Sequence, residues 1–136
     1  MSAGPKILII DDDPDIVESM SILLRTKGYG IVAARDYDEG LAKVKEVKPD
    51  LIILDAMLLL HQKSGFELSQ EVRKDPDTRR IPILMISAIN ETSGGFSFSP
   101  SPGDENVPVD GFINKPARPE ELFSKVEQLL KSAASR

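Results

Sequence analysis

Residues 7–16 read ILIIDDDPDI: four branched aliphatic side chains, then Asp11, Asp12 and Asp13, with Asp15 close behind. The apolar run has no polar alternation, which is how a strand covered on both faces of a parallel sheet reads. LIIL at 51–54 and ILMI at 83–86 have the same character, and GIVAA at 30–34 and GFIN at 111–114 are weaker strand candidates. Helical period fills the gaps between them. Pro14 suits a first helical position, and Ile16, Val17, Met20, Leu23 and Leu24 share one face until Gly28 supplies a stop. Over 37–47 Leu41, Val44 and Val47 share a face, with Asp36 or Asp38 as cap, while 65–74 gathers Phe66, Leu68 and Val72. A last amphipathic helix over 119–131 carries Leu122, Phe123, Val126, Leu129 and Leu130.

Alternating strands and helices force parallel neighbours joined by right-handed crossovers, so helices must cover both faces of the sheet. The expected fold is α/β, a doubly wound, open, five-stranded parallel sheet. The length of 136 residues, 40% of them hydrophobic, suits one domain over 1–136 with a core of about 6–131. A net charge of -5 argues against a general nucleic-acid surface, since phosphate contacts need clustered Lys and Arg, and no direct DNA binding is expected. Without cysteine there is no disulfide, thiolate metal site or thiol nucleophile. No apolar run reaches the roughly 20 residues that cross a bilayer, so no membrane partner is expected and a cytoplasmic location is.

In sheets of this kind ligands bind outside the carboxyl ends of the strands. The residues just after the apolar runs are Asp11, Asp12, Asp55, Ser87 and Lys115. Carboxylates brought this close repel one another unless a cation compensates, and a hard divalent ion with oxygen ligands, Mg²⁺ or Mn²⁺, does so. Asp55 beside such an ion can attack phosphorus to give an acyl phosphate. Lys115 would pair with the incoming charge and the Ser87 hydroxyl would donate to a phosphoryl oxygen, a set of parts for phosphoryl transfer by positioning and electrostatics.

Taken together, ILIIDDDPDI, PDLIILDAM, IPILMISA and GFINKP resemble, in order and at the strand ends, the motifs of two-component response regulator receiver domains of the CheY-like, flavodoxin-like fold. The resemblance implies that Asp11 and Asp12 are the acidic metal pair, Asp12 the direct ligand and Asp11 acting largely through water. It makes Asp55 the phosphoacceptor and a further ligand, and the Met57 backbone carbonyl another. Ser87 matches the switch hydroxyl, Phe112 the aromatic switch position, and Lys115 the family's lysine, with Pro116 after it. The implied function is that of a phosphoaccepting signalling domain. It receives a phosphoryl group from a sensor histidine kinase onto Asp55 with Mg²⁺ and catalyses only its own phosphoryl transfer and dephosphorylation. Phosphorylation shifts Ser87 and Phe112 between two packings, read by a downstream protein. The chain reads as a stand-alone receiver, a monomer or a phosphorylation-dependent dimer. A degenerate receiver that binds partners without being phosphorylated is the alternative. A haloacid-dehalogenase-type phosphatase with Asp11 as nucleophile and Asp13 two positions on leaves Asp55 without a role.

Each residue also has a plainer reading. Asp13 caps the helix that Pro14 begins, Ser87 ends a strand, Phe112 is core, His61 lies in a surface loop, and Arg79 with Arg80 forms a solvated turn. Two stretches depart from the family pattern. AMLLLHQKSGFEL at 56–68 lengthens the loop after Asp55, with Leu58, Leu59 and Leu60 packing locally and Gly65 before the next helix. At 90–110, NETSGGFSFSPSPGDENVPVD has three prolines, three glycines and no apolar stripe, so an irregular Gly/Ser/Pro-rich segment is expected in place of the family's fourth helix. Within it, Phe96 and Phe98 alternate with small residues. In receivers, the side chains two positions after the phosphoacceptor and two after the switch hydroxyl govern water attack; here they are Met57 and Ile89, both apolar. Slow self-dephosphorylation is predicted. A phosphate-release time course with a half-life of seconds would refute it.

Overall fold

A computed structural model describes residues 4–55, 65–87, 110–114 and 118–134; of Tyr37, 65–69, Ser87, Phe112, Asn114 and Ala134 it describes the backbone alone. The elements are β1 (Lys6–Ile10), α1 (Pro14–Arg25), β2 (Gly30–Ala34), α2 (Tyr37–Val47), β3 (Leu51–Asp55), α3 (Gly65–Lys74), β4 (Ile83–Ser87), β5 (Gly111–Asn114) and α4 (Pro119–Ala134). All five strands pair in parallel in the order β2-β1-β3-β4-β5. The expected doubly wound sheet is therefore present, with the strand order reversing beside β1. Of the expected irregular segment at 90–110, all but Asp110 lies outside the described residues. The last helix runs to Ala134, three residues past the expected end at 131.

The two faces divide by strand parity. Leu8, Ile10, Ile52, Leu54, Ile83 and Met85 point to one side and pack with Val44 of α2 and Val72 of α3. Ile7, Ile9, Leu51, Ile53, Leu84, Ile86 and Ile113 point to the other and pack with Met20 and Leu24 of α1 and with Leu122, Val126 and Leu129 of α4. Continuous aliphatic runs are thus required because successive residues from Ile7 to Ile10, Leu51 to Leu54 and Ile83 to Ile86 meet one helical layer or the other.

Helix ends follow local chemistry. Asp13 is the N-cap of α1, its carboxylate accepting the Asp15 N–H at 3.0 Å, with Pro14 next. Asp36 caps α2, accepting the Glu39 N–H at 2.8 Å, while the Glu39 carboxylate reaches back to the Arg35 N–H at 2.8 Å. That reciprocal pair is a capping box displaced by one residue. Gly28 takes φ +88, a conformation costly for other residues, and turns the chain from α1 into β2. The buried Thr78 hydroxyl donates to the Val72 carbonyl at 2.8 Å and satisfies an otherwise orphaned group near the end of α3. Arg79 and Arg80 are exposed on the turn that follows, as expected.

Between α1 and α4, the Lys27 ammonium lies 4.8 Å from the centre of the Phe123 ring. Burial first, and then the Glu127 carboxylate, hold the Tyr29 phenol above its ordinary pKa. No helix among the described residues is long and apolar enough to cross a membrane.

Leu24→Ala, at a fully buried position of α1, is predicted to lower unfolding free energy by about 3 kcal/mol through lost burial and a cavity. Asp36→Ala should cost about 1 kcal/mol through loss of the cap. Urea denaturation measures both, and a Leu24→Ala loss no larger than that of Asp36→Ala contradicts the packing described.

Candidate functional site

Register decides which carboxylates meet. β1 pairs with β3 so that Ile10 lies beside Leu54, and the next residues along the two strands are Asp11 and Asp55. Asp55 is the last residue of β3, on the parity of Leu51 and Ile53. One hydrogen bond carries the β1–β2 pairing past the end of β1, from the Asp11 N–H to the Ala34 carbonyl at 3.1 Å. That fixes the Asp11 backbone where the strand gives way to the α1 cap. Its carboxylate also accepts the Asp13 N–H at 2.9 Å, which closes the turn and leaves Asp12 projecting outward.

Asp11 and Asp55 are 2% and 3% exposed, whereas Asp12 is open to solvent. Each of the three offers one carboxylate oxygen such that all lie within 4.8 Å of one another. Two buried carboxylates beside a third, exposed one form an oxygen donor set that suits a hard divalent cation, which takes a few carboxylates and keeps the remaining positions for water or phosphate oxygens. Asp13 does not belong to this set. Its carboxylate accepts the Asp15 N–H as the cap of α1.

The other expected site residues are placed less completely. β4 ends at Ser87 and pairs with β5 so that Ser87 lies beside Asn114 and Met85 beside Phe112; the backbones of both switch positions therefore sit on adjacent strands. Lys115 is the next residue in the chain after Asn114. Lys115, Pro116, the Met57 carbonyl, Leu58, Leu59, Leu60, His61, Ile89, Phe96 and Phe98 lie outside the described residues, as do the side chains of Ser87 and Phe112. Reading the sequence missed the Ala34 carbonyl, since nothing in a main-chain acceptor's identity announces that a neighbouring strand uses it.

The response regulator receiver domain family matches residues 7–127. The chain belongs to that family. It is a two-component signal-transduction receiver domain with the CheY-like α/β fold. Among curated proteins it is 37% identical over 127 residues to the DNA-binding dual master transcriptional regulator RpaA of Synechocystis, covering 93% of this chain and 49% of that protein. It is 35% identical to the phosphate regulon transcriptional regulatory protein PhoB of Pseudomonas aeruginosa, covering 94% of this chain and 52% of that one. The chain thus spans about half the length of these curated relatives. Among solved structures, the chemotaxis response regulator CheY4 of Vibrio cholerae superimposes with a TM-score of 0.74 at 29% identity, over 92% of this chain and 98% of that one. An acidic cluster at the carboxyl ends of β1 and β3 accords with the receiver fold's use of Mg²⁺.

The donor set predicts that calorimetric titration detects a divalent-ion site and that Asp12→Ala weakens it by about tenfold or more, given that even indirect partners of bound metals carry that much. Asp13→Ala should leave affinity within about twofold while lowering stability by about 1 kcal/mol through the lost cap. Equal losses of affinity in the two variants would contradict the division of labour among the aspartates.

Proposed function

We propose that Asp55 accepts a phosphoryl group from the phosphohistidine of a sensor histidine kinase and that the resulting charge is the signal. The observation that carries this reading is the meeting of Asp11, Asp12 and Asp55, from two strands, with carboxylate oxygens inside 4.8 Å. In the transfer an Asp55 oxygen attacks phosphorus, the phosphorus–nitrogen bond breaks, and the electron pair returns to the imidazole. An acyl phosphate on Asp55 results. Asp11, Asp12, Asp55 and the Met57 carbonyl would hold Mg²⁺ or Mn²⁺, which when bound neutralises charge on the phosphoryl oxygens.

The chain's own residues do the rest. Burial of Asp55 in a strand end fixed on both sides, by β1 and by β4 through its pairing with Ile86, holds the nucleophile still and keeps water away from one face. Lys115 supplies a positive charge to the phosphoryl group. The Ser87 hydroxyl donates a hydrogen bond to it, and the same movement frees space for Phe112 to turn, which biases the domain between two packings. The partner upstream is a histidine kinase and the output is a protein contact, made as a monomer or as a phosphorylation-dependent dimer. The single domain over 1–136 carries no separate enzymatic activity in this reading.

Incubation with acetyl phosphate and Mg²⁺ followed by intact-mass measurement tests it. The wild type should gain one phosphoryl group and Asp55→Asn none. No gain in the wild type would instead support a degenerate receiver that binds partners without phosphorylation. Turnover that survives Asp55→Asn but not Asp11→Asn would support the phosphatase chemistry.

A further inference from the structure

Asp110 stands at the entry to β5, and its surroundings are unusually complete. Its N–H donates to the Ile83 carbonyl at 2.8 Å, and its carboxylate accepts the Ile83 N–H at 2.9 Å. A backbone group at a strand's start is normally taken by the neighbouring strand's carbonyl; here the Asp110 side chain takes it and so marks where β5 begins. The Arg73 guanidinium, from the last turn of α3, pairs with the same carboxylate oxygen. Its other nitrogen donates to the Arg79 carbonyl at 2.8 Å and the Ile81 carbonyl at 2.6 Å. Arg73 and Asp110 are 23% and 18% exposed, and a planar fork held at several points is worth more than a surface ion pair. One guanidinium therefore ties α3, the turn before β4 and the residue that leads into β5 together.

β5 has reason to need such a clasp. It is four residues long and lies at the margin of the sheet, paired with β4. The sequence before it, at 90–110, has no helical apolar stripe. A slip of one residue would turn every side chain of the strand to the opposite face and shift its end by about 3.3 Å. Ile113, fully buried against α4, would be replaced by a neighbour of different character. Gly111 reinforces the same register. A Cβ there would stand 3.2 Å from a methyl of Leu84 and 3.2 Å from one of Leu129, so neither Asp110 nor Phe112 takes its place without displacing both leucines.

We infer that Arg73 and Asp110 are positioning residues for phosphoryl transfer, setting the β5 register and through it the arrival of the chain at Lys115. This rests on the phosphoacceptor reading of Asp55 and Lys115. The acidic cluster comes from β1 and β3, whereas these contacts of the clasp join α3, the turn before β4, Ile83 and the entry to β5, so metal binding and phosphoryl transfer separate its effect.

The experiment compares wild type, Asp110→Ala, Asp110→Asn and Arg73→Gln, each shown folded by circular dichroism, for Mg²⁺ affinity and for the rate of phosphorylation by acetyl phosphate at saturating Mg²⁺. Asp110→Ala should keep Mg²⁺ affinity within about twofold and lose at least about tenfold in rate, the scale on which misplacement of a reacting group acts. Asp110→Asn retains a carbonyl oxygen for the Ile83 N–H and should recover most of that rate. Should Asp110→Ala not fold, Arg73→Gln carries the test, with a smaller fall in rate at unchanged Mg²⁺ affinity. Wild-type rates in the folded variants, or losses of rate and Mg²⁺ affinity in parallel, overturn the positioning role alone. A wild type that gains no phosphoryl group overturns the phosphoacceptor reading and this one with it.

Discussion

The parallel pairing of β1 with β3 is the constraint on which the rest depends. Ile10 beside Leu54 leaves the chain nowhere to put Asp11 and Asp55 except next to each other, at an edge where both are nearly sealed from water. Carboxylates in that setting repel by an amount that grows as the local dielectric falls. The fold accepts this cost because the strands are held elsewhere. Ile7 to Ile10 and Leu51 to Leu54 are buried almost completely between two helical layers, and that burial outweighs a local repulsion.

The same edge shows how one short acidic run divides into different roles. Asp11 is turned inward by its link to Ala34 and by accepting the Asp13 N–H, Asp12 is left outside, and Asp13 is consumed by the cap of α1. Three chemically identical side chains become a buried donor, an exposed donor and a structural cap because the chain changes from strand to helix beneath them. Asp13 stabilises the start of α1 as its cap, one residue after Asp12 leaves the strand end.

Much of this was legible in the residues. Aliphatic runs without alternation identified the inner strands, since only a strand covered on both sides requires them, and they also located the carboxyl ends where Asp11, Asp12 and Asp55 sit. Pro14, Gly28 and Asp36 marked helix limits through backbone chemistry that is local and so readable from a few residues. The longer reach of α4 was not legible, because Ala133 and Ala134 carry no apolar signal beyond that of any small residue. The Arg73–Asp110 clasp escaped for a different reason. The two residues are 37 positions apart and each is ordinary for its local element; only the sheet order brings the end of α3 to the start of β5. The division of Asp11 from Asp12 by burial likewise depends on β2, whose Ala34 carbonyl supplies the anchor.

The account's central claim is that Asp11, Asp12 and Asp55 together form a site for a divalent cation. Thermal unfolding of wild type and Asp55→Asn, each with and without Mg²⁺, tests this most directly. With Mg²⁺ at ten times its dissociation constant the wild type should gain about 1.4 kcal/mol, and the variant much less. A wild type indifferent to Mg²⁺, or an Asp55→Asn protein that gains as much from it, would contradict the claim.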